Sequence, residues 1–331
     1  MNIKSVSETF DLFFRIVRKS YLIGSLFFLL PCLVLLKIFL TYKIVVLRTN
    51  RLGHLALNTN LFFRRVKLGT TPPNTRYFMV APSISSNNVA NPVLLRMYKK
   101  YSKNVPNVLI VTSSWVHFLL DQNQTILDNL GLLYILHMNS NEAEFSENIP
   151  TISFTDDEKN SGYRLLKRLG VGKDSRIVCI FGRDSAYLQE SYRDIDWGYH
   201  DYRNMDVDTY IEGIKYLISK GYTIIRIGNI VSKPVDFMDD NFIDYSVSNE
   251  ISPFLDIFML SISDFVVGSS SGATDVAAVF NKPYLGVNYA PFLFSPFGFD
   301  NMYIPKRLIN LKNECSVIPF KNVTDIDDTK L

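Results

Sequence analysis

The sequence is poor in the residues that build metal centres and covalent frameworks. It contains three cysteines and four histidines among 331 residues, and neither set has the spacing of a metal site. Three cysteines cannot form a disulfide framework, which favours a reducing compartment. The net charge is only +3 at pH 7, and no basic run is interleaved with stacking aromatic residues. We therefore expect no metal, no disulfides and no nucleic-acid partner.

Two further absences narrow the class of protein. The chain has no internal repeat and no low-complexity segment, and 47% of its residues are hydrophobic. This composition suits an ordered protein with room for two domains of ordinary size. No G-x-G-x-x-G motif follows a first strand, which argues against a Rossmann dehydrogenase.

The amino-terminal 41 residues are the most hydrophobic part of the chain. Residues 21–36 carry no charge, but a membrane-spanning helix needs about 20 apolar residues, so this stretch is at the lower limit. If the remaining chain is cytoplasmic, a single span would also place Arg15, Arg18 and Lys19 on the outer side of the membrane. Basic residues are normally enriched on the cytoplasmic side. Pro31 suits a broken helix. We predict that residues 1–41 form a helix that lies in one leaflet of a membrane; the alternative is a buried helix of the first domain.

From residue 42 onward, strand and helix patterns alternate, which predicts α/β architecture with parallel sheets. Lys43–Arg48 is the first β-branched run, and Arg176–Phe181 opens a second set of strands. The polar segment 139–160 between them is typical of a linker or crossover. The sequence therefore predicts two Rossmann-like domains, residues 42–150 and 151–331.

The most informative stretch is residues 264–289, DFVVGSSSGATDVAAVFNKPYLGVNY. A short apolar strand stops at Gly268, a loop of small residues follows, and the apolar pattern after it predicts a helix and then another strand. At this helix N-terminus, backbone N–H groups, the helix dipole and hydroxyl groups would attract an anion such as a diphosphate. The alternative is that the small residues only make a tight turn and cap the helix. The candidate residues are Ser269, Ser270, Ser271, Gly272 and Ala273.

Polar residues also follow other predicted strands. Arg183 and Asp184 come after the strand Arg176–Phe181, and Arg226 lies at the end of the strand Tyr222–Ile227. Open α/β sheets bind ligands at the carboxyl ends of their strands, and a guanidinium group pairs bidentately with phosphate oxygens. We therefore expect these three residues at the same ligand site, although each arginine taken singly could form an ordinary salt bridge.

Two segments supply candidates for acid–base chemistry. His54 lies just past the first predicted strand, where it could meet a ligand or only cap a helix. Residues 191–204 are denser in titratable and aromatic groups than a plain surface loop, which favours function. In that segment His200 and Asp201 are candidate bases, because a histidine titrates near neutrality and an aspartate can be tuned by its surroundings. Two ligand-binding candidates follow them, Arg203 and Asn204.

Several strings taken together resemble a known family. RLGHLALN, FGRDSAYL, WGYHDYRNMDVDTY, GYTIIRIG and the SSSG helix are similar to a bacterial family of GT-B glycosyltransferases that occur with surface-polysaccharide biosynthesis, over about residues 43 to 310. The GSSSG and GRDSAY stretches also resemble the donor domain of fucosyltransferase-like enzymes. The resemblance implies two Rossmann-like domains that face a cleft, with the acceptor on the first and a sugar nucleotide on the second. The sequence departs from the pattern in lacking the long closing helix that many GT-B enzymes return to their first domain.

The function that this resemblance implies is transfer of a sugar from a nucleotide-sugar donor to a hydroxyl of a glycan, or a lipid-linked glycan, at the cytoplasmic face of the bacterial inner membrane. Arg183 would contact the donor phosphates and residues 270–273 would cradle them, so neither metal nor cofactor is needed. By the fucosyltransferase analogy the reaction would invert the anomeric centre.

Three alternatives stay open. Asp194 and Asp196 have the D-x-D spelling of metal-dependent GT-A enzymes, but no GT-A architecture accompanies them. A GT-B-type sugar-nucleotide epimerase would need no membrane acceptor, so the apolar amino-terminal segment argues against it. A catalytically silent scaffold in a polysaccharide assembly complex would not need the charged residues Arg183, His200 and Arg203.

Overall fold

The computed structural model describes residues 24, 29–145, 152–191, 198–290, 301–310 and 316–319. Within these ranges the chain forms two parallel sheets, one in each half, as the alternating pattern predicts. Our domain boundary at residue 150 falls in 146–151, outside the described residues, and stays a prediction.

The first sheet is small and parallel. Its strands lie in the order β1-β2-β3, and a single bridge joins Leu133 to Ile44 on the outer side of β1. The strands are β1 (Tyr42–Val46), β2 (Arg76–Ala81) and β3 (Val108–Thr112). The helices of this half after β1 are α2 (Thr59–Leu68), α3 (Pro92–Ser102), α4 (Ser114–Asp121) and α5 (Gln124–Asn129).

The connection from β1 to α2 has an irregular helix geometry. A π-helical turn, His54–Asn58, leads directly into α2, and four of its five residues are buried. Such wide turns occur mostly as single insertions in α-helices and often lie at functional sites. The turn begins immediately after Gly53, at the carboxyl-end side of β1.

The second sheet is larger and doubly wound. Its six strands are parallel in the order β6-β5-β4-β7-β8-β9, so the chain starts at the centre, winds to one edge, and returns to fill the other side. The direction reverses between β4 and β7, which is the switch point where such sheets bind ligands. The strands are β4 (Arg176–Phe181), β5 (Tyr222–Arg226), β6 (Phe242–Asp244), β7 (Phe265–Gly268), β8 (Tyr284–Tyr289) and β9 (Met302–Pro305).

Helices cover both faces of this sheet, and local signals fix their ends. Thr155 and Glu158 form a capping box at the start of α6, and Ser252 caps α9 through the backbone N–H of Leu255. The helices are α6 (Asp156–Arg168), α7 (Ala186–Ser191), α8 (Ile211–Ser219), α9 (Pro253–Ile262) and α10 (Gly272–Val279). A short antiparallel pair follows, β10 (Ile309–Asn310) with β11 (Ser316–Val317).

The two halves are joined by a continuous buried core and by one buried arginine. Arg64 of α2 reaches α10, where it donates to the side-chain oxygen of Asn281 at 2.7 Å and to the carbonyl oxygens of Ala278 and Val279. It also donates to the carbonyl oxygen of Glu144 at 2.8 Å. The carboxyl end of α10 is therefore attached to the first half of the chain.

The described part of the hydrophobic amino-terminal segment is a helix, α1 (residues 29–39). One side of it packs on the first sheet's outer core through Leu29, Leu30 and Leu33. The other side leaves Ile38 and Phe39 72% and 79% exposed. Among the described residues, no helix has the length and hydropathy needed to cross a bilayer.

Candidate functional site

A cavity of about 500 Å³ lies between the two halves, above the carboxyl ends of β1, β4, β5 and β7. Its position matches the switch point of the second sheet, where the helices that follow β4 and β7 diverge. The first half contributes Arg51 to His54, and the second half contributes the loops after β4, β5 and β7 together with the start of α9. The cavity therefore collects residues that are far apart in the sequence.

Two glycines bring the halves into backbone contact at the floor of this cavity. A Cβ atom on Gly272 would lie 2.7 Å from the backbone nitrogen of Gly53, and a Cβ atom on Gly53 would collide with the carboxylate of Asp275. A larger residue at Gly272 would require movement of the backbone, and a larger residue at Gly53 would require the Asp275 side chain to move. The π-helical turn and the N-terminus of α10 thus meet directly, and both helix N-termini lie at the cavity.

Two arginines predicted from the sequence line the cavity, Arg183 and Arg203. Burial, together with the nearby charges of Arg203 and Arg51, lowers the pKa of Arg183 to about 10. The Nε atoms of both arginines are buried, and neither has a hydrogen-bond partner among the described residues. Buried guanidinium donors are normally paired, so their arrangement here favours an anionic ligand.

The loop of small residues adopts the predicted strand–loop–helix geometry, but its hydroxyl groups are used within the protein. Ser269 accepts a hydrogen bond from the backbone N–H of Arg183 at 2.9 Å, and Ser271 caps α10. Ser270 accepts from Nη2 of Arg203 at its carbonyl oxygen, 3.0 Å, and at its hydroxyl oxygen, 2.8 Å. Gly272 and Ala273 are the first two residues of α10, and both line the cavity. The serines therefore position Arg183, Arg203 and the helix N-terminus; their contact with a ligand stays a prediction.

His54 lies at the cavity, as its place after β1 predicts. Burial lowers its pKa, and the positive charges of Arg48 and Arg51 lower it further. The Nδ1 atom is buried and has no hydrogen-bond partner among the described residues. A histidine with a lowered pKa is neutral at pH 7 and can accept a proton.

Two carboxyl groups in the cavity were missed by the sequence analysis, Asp275 and Asp256. Burial raises the pKa of Asp275 to about 7, although the charge of Arg203 acts in the opposite direction. Burial also raises the pKa of Asp256 to about 6, against the hydrogen bond that it accepts from Tyr245. Asp275 stands in the first turn of an otherwise apolar helix, and this isolated charge is the signal that could have identified it.

Two predicted ligand residues have structural partners instead. Arg226 is 1% exposed, does not line this cavity, and donates to Asp244 Oδ2 at 3.0 Å and to the carbonyl oxygen of Lys233 at 2.8 Å. Asp184 lines the cavity, but its carboxylate accepts hydrogen bonds from the backbone N–H groups of Ala186 and Ser232 and from the Ser232 hydroxyl. Arg226 thus stabilises the strand end, and Asp184 holds the loops after β4 and β5 together; a contact of either residue with a ligand stays a prediction.

The segment around residue 200 is only partly brought to the cavity. Asp201 is exposed and accepts a hydrogen bond from the amide of Asn204 at 2.8 Å, and neither residue lines the cavity. Among the described residues of this segment, Arg203 lines the cavity. The His200 side chain and the D-x-D pair, Asp194 and Asp196, lie outside the described part of the structure. Within that part, no group of three or more metal-binding side chains occurs.

The solved structures to which this chain is similar include glycosyltransferases. They include a glycosyl transferase family 9 protein from Veillonella parvula DSM 2008, with 10% identity, coverage of 88% of this chain and 94% of that chain, and a TM-score of 0.48. E. coli ADP-heptose LPS heptosyltransferase II has 13% identity, coverage of 87% and 96%, and a TM-score of 0.44. E. coli heptosyltransferase WaaC with ADP has 10% identity, coverage of 80% and 93%, and a TM-score of 0.40.

Comparisons of the sequence do not assign this chain to a family. No protein-family model matches the chain, and no curated protein matches it. The predicted arrangement of two parallel-sheet domains around a cleft is confirmed. The likeness of the donor segment to fucosyltransferase-like enzymes stays a prediction, and what the chain binds has to follow from its own side chains.

Proposed function

We propose that the protein is a metal-independent glycosyltransferase of the GT-B type that uses a nucleotide-sugar donor. The observation that carries this proposal is the pair of arginines, Arg183 and Arg203, which line the cavity at the switch point and whose buried Nε donors have no partner among the described residues. A diphosphate supplies the acceptor oxygens and the negative charge that these groups lack. The N-terminus of α10 adds a positive dipole at the same place.

The reaction requires positive charge near the bond between the sugar and the diphosphate, because negative charge develops there as the bond breaks. As the bond between the anomeric carbon and the diphosphate oxygen breaks, its electron pair stays on the leaving nucleotide diphosphate. Arg183, Arg203 and the α10 N-terminus stabilise that charge, and they are held before the ligand arrives by Ser269, Ser270 and the cap at Ser271. We expect the acceptor oxygen to attack from the opposite face and invert the anomeric centre.

His54 is the base that we propose for the acceptor hydroxyl. It lies on the first half of the chain, opposite the arginines, and its lowered pKa keeps it neutral at pH 7. The acceptor's oxygen bonds to the anomeric carbon while its proton moves to a ring nitrogen of His54. Asp201 is exposed and lies outside the cavity lining, so it fits this role less well.

The acceptor that we propose is a glycan hydroxyl presented at a membrane surface, on the cytoplasmic face of the bacterial inner membrane. The exposed side of α1 carries Val34, Leu35, Ile38 and Phe39, and apolar side chains of this kind insert at the boundary of lipid headgroups and acyl chains. Because α1 packs on the first half, membrane contact would bring that half towards a lipid-linked acceptor.

Flotation with phosphatidylglycerol vesicles tests the membrane contact. We expect the full chain to float with the vesicles, and a variant with Ile38→Asp and Phe39→Asp to float markedly less. Met238→Asp, at a 95% exposed residue of the second half, is the matched control and should float like the wild type. Equal flotation of the double variant and the wild type would remove the contribution of α1.

The donor site is tested by the melting temperature of the protein with nucleotides. A ligand that binds only the folded state raises the melting temperature by mass action, by the equivalent of about 2.7 kcal/mol at a hundredfold excess over Kd. The panel contains UDP, GDP, TDP, ADP and CMP. We expect at least one nucleoside diphosphate to stabilise the protein at millimolar concentration. No shift with any of them would favour the silent scaffold over the enzyme.

A further inference from the structure

The cavity has two chemically different linings. The loops after β4 and β7 contribute the charged side, with Arg183, Arg203 and Asp275. The loop after β5 and α9 contribute an apolar side, on which Ile230 and Val231 are partly exposed, whereas Ile227, Ile257 and Leu260 are almost completely buried. If the proposed function is right and a diphosphate binds the charged side, the nucleoside has the apolar side available, since an aromatic base needs apolar contact on its faces.

One carboxyl group interrupts this apolar lining. Asp256 stands in the first turn of α9, beside Ile257, and lines the cavity. Its Oδ1 accepts a hydrogen bond from the hydroxyl group of Tyr245 at 2.9 Å. Tyr245 is fully buried, and its hydroxyl oxygen accepts in turn from the backbone N–H of Ser252 at 2.8 Å. The carboxyl group is therefore held in one orientation by a chain of hydrogen bonds.

The second carboxylate oxygen of Asp256 accepts no hydrogen bond from the described residues, and it is not one of their buried unpaired atoms, so it is open to a ligand in the cavity. Because an ionised carboxylate only accepts hydrogen bonds, a ligand that contacts it there must offer a donor. Guanine offers two adjacent N–H donors on its Watson–Crick edge, the ring N1–H and the exocyclic amine. Adenine has an amine next to an acceptor, and in uracil and thymine the single N3–H lies between two carbonyl oxygens that repel a carboxylate.

We propose that Asp256 accepts hydrogen bonds from the Watson–Crick edge of a guanine base, so that the donor is a sugar carried by guanosine diphosphate. This inference rests on the proposed function and makes it narrower, because it selects one nucleotide among those that the charged side of the cavity would hold. Tyr245 is the positioning residue that fixes the carboxylate.

Calorimetric titration with GDP, IDP, ADP and UDP tests the assignment. IDP is the informative probe, because its base keeps the N1–H but lacks the exocyclic amine. We expect the full-length wild type to bind GDP at least about tenfold more tightly than the other three, the effect of one to two hydrogen bonds to a charged group. Asp256→Asn should lower the affinity for GDP by about tenfold or more and leave that for UDP unchanged.

Glu250→Gln, a change of a partly exposed carboxylate just before α9 that pairs with Arg168, is the matched control and should keep the preference for GDP. If the wild type binds ADP or UDP as tightly as GDP, the assignment of guanine is wrong. If Asp256→Asn weakens all four nucleotides equally, the carboxylate contacts a part that they share, such as the ribose, and the inference also fails.

The two proposals fail in different ways. No binding of any nucleotide would overturn the proposed function together with this inference, whereas binding without preference for guanine would overturn the inference alone. Should Asp256→Asn not fold, the four affinities of the wild type still decide, because the expected order is set by the bases and not by the variant.

Discussion

The structure buries arginines in two different ways. Arg64 and Arg226 are 1% exposed, and their guanidinium groups donate to carbonyl, amide and carboxylate oxygens of the protein. Arg183 and Arg203 lie at the cavity, and the Nε atom of each is buried without a partner among the described residues. The first pair holds elements of the fold together, whereas the second keeps a buried unpaired donor on each residue, which is the basis of our proposal that it binds a ligand.

This difference has an energetic basis. A buried donor without a partner costs about 1–3 kcal/mol, and more when it is charged, so a fold retains one only where something offsets the cost. At Arg183 the neighbouring charges of Arg203 and Arg51 add repulsion, which is reflected in its lowered pKa. Binding of an anion would relieve both the missing hydrogen bond and the repulsion.

The largest effect on stability is expected at Arg64. The change Arg64→Ala leaves the carbonyl of Glu144 and the amide oxygen of Asn281 without their donor and opens a cavity between the two halves. We expect the free energy of unfolding to fall by about 4 kcal/mol, measured by urea denaturation. Lys100→Ala, at an exposed residue of α3, is the control and should change it by less than about 0.5 kcal/mol. A loss at Arg64 no larger than at Lys100 would contradict a joining role.

The next effect separates the two kinds of arginine by function. Arg183→Ala should lower the rate of sugar transfer by about 10²–10³-fold, the effect of removing one preorganised donor to a developing anion, while the melting temperature stays the same or rises. Arg226→Ala should lower the melting temperature, because it breaks the ion pair with Asp244. It should leave the rate of sugar transfer nearly unchanged, because the cavity stays intact.

Both changes can be measured on the same samples, by turnover of the donor that the nucleotide panel identifies and by thermal unfolding without ligand. Equal losses of activity in Arg183→Ala and Arg226→Ala, or loss of stability in the first, would abolish the distinction between the two pairs.

A smaller effect concerns the carboxyl group beside Arg203. The pKa of Asp275 is about 7 in the folded protein, above its ordinary value of 3.8, so between these pH values the folded state holds a proton that the unfolded state releases. Stability is therefore lost as pH rises through this window. Asp275→Asn cannot ionise, so its free energy of unfolding should rise relative to that of the wild type by about 2 kcal/mol between pH 5 and pH 7. Glu212→Gln, on exposed α8, should show no such gain.

A pH-independent difference between Asp275→Asn and the wild type would show that the carboxyl group ionises normally despite its burial. Denaturant unfolding at a series of pH values is the measurement that decides.

The sequence predicted the frame of the site better than its side chains. The β-branched run before Gly268, the cap at Ser271 and the apolar helix after it are local signals, and they produced β7, the loop and α10 as expected. That Arg203 lies in the cavity while Asp201 and Asn204 bond to each other outside its lining depends on the packing of one short helical turn. All three residues belong to the same polar segment, so its composition could not predict which of them would line the cavity.

Arg226 and Asp275 also show what local sequence could not predict. Arg226 was predicted to line the cavity and does not, whereas Asp275 was not predicted and does. The position of Arg226 at a strand end suggested a ligand contact, but it pairs with Asp244 on the neighbouring strand β6. The local sequence could not predict this partner, because it does not determine the order of the strands. Asp275 resembles a solvent-facing helix position, and it is buried because Gly53 brings the other half of the chain against it. Both outcomes depend on long-range contacts.

The attachment of α10 by Arg64 has a consequence for the thermodynamics of ligand binding. The helix whose N-terminus faces the cavity is fixed at its other end to the opposite half, so contacts within the protein hold the two walls of the cavity together. Little of the binding free energy then has to be spent on ordering the halves, which favours affinity through preorganisation. We expect the radius of gyration in small-angle X-ray scattering to stay the same when a nucleotide binds; a clear compaction would mean that the halves move as separate bodies.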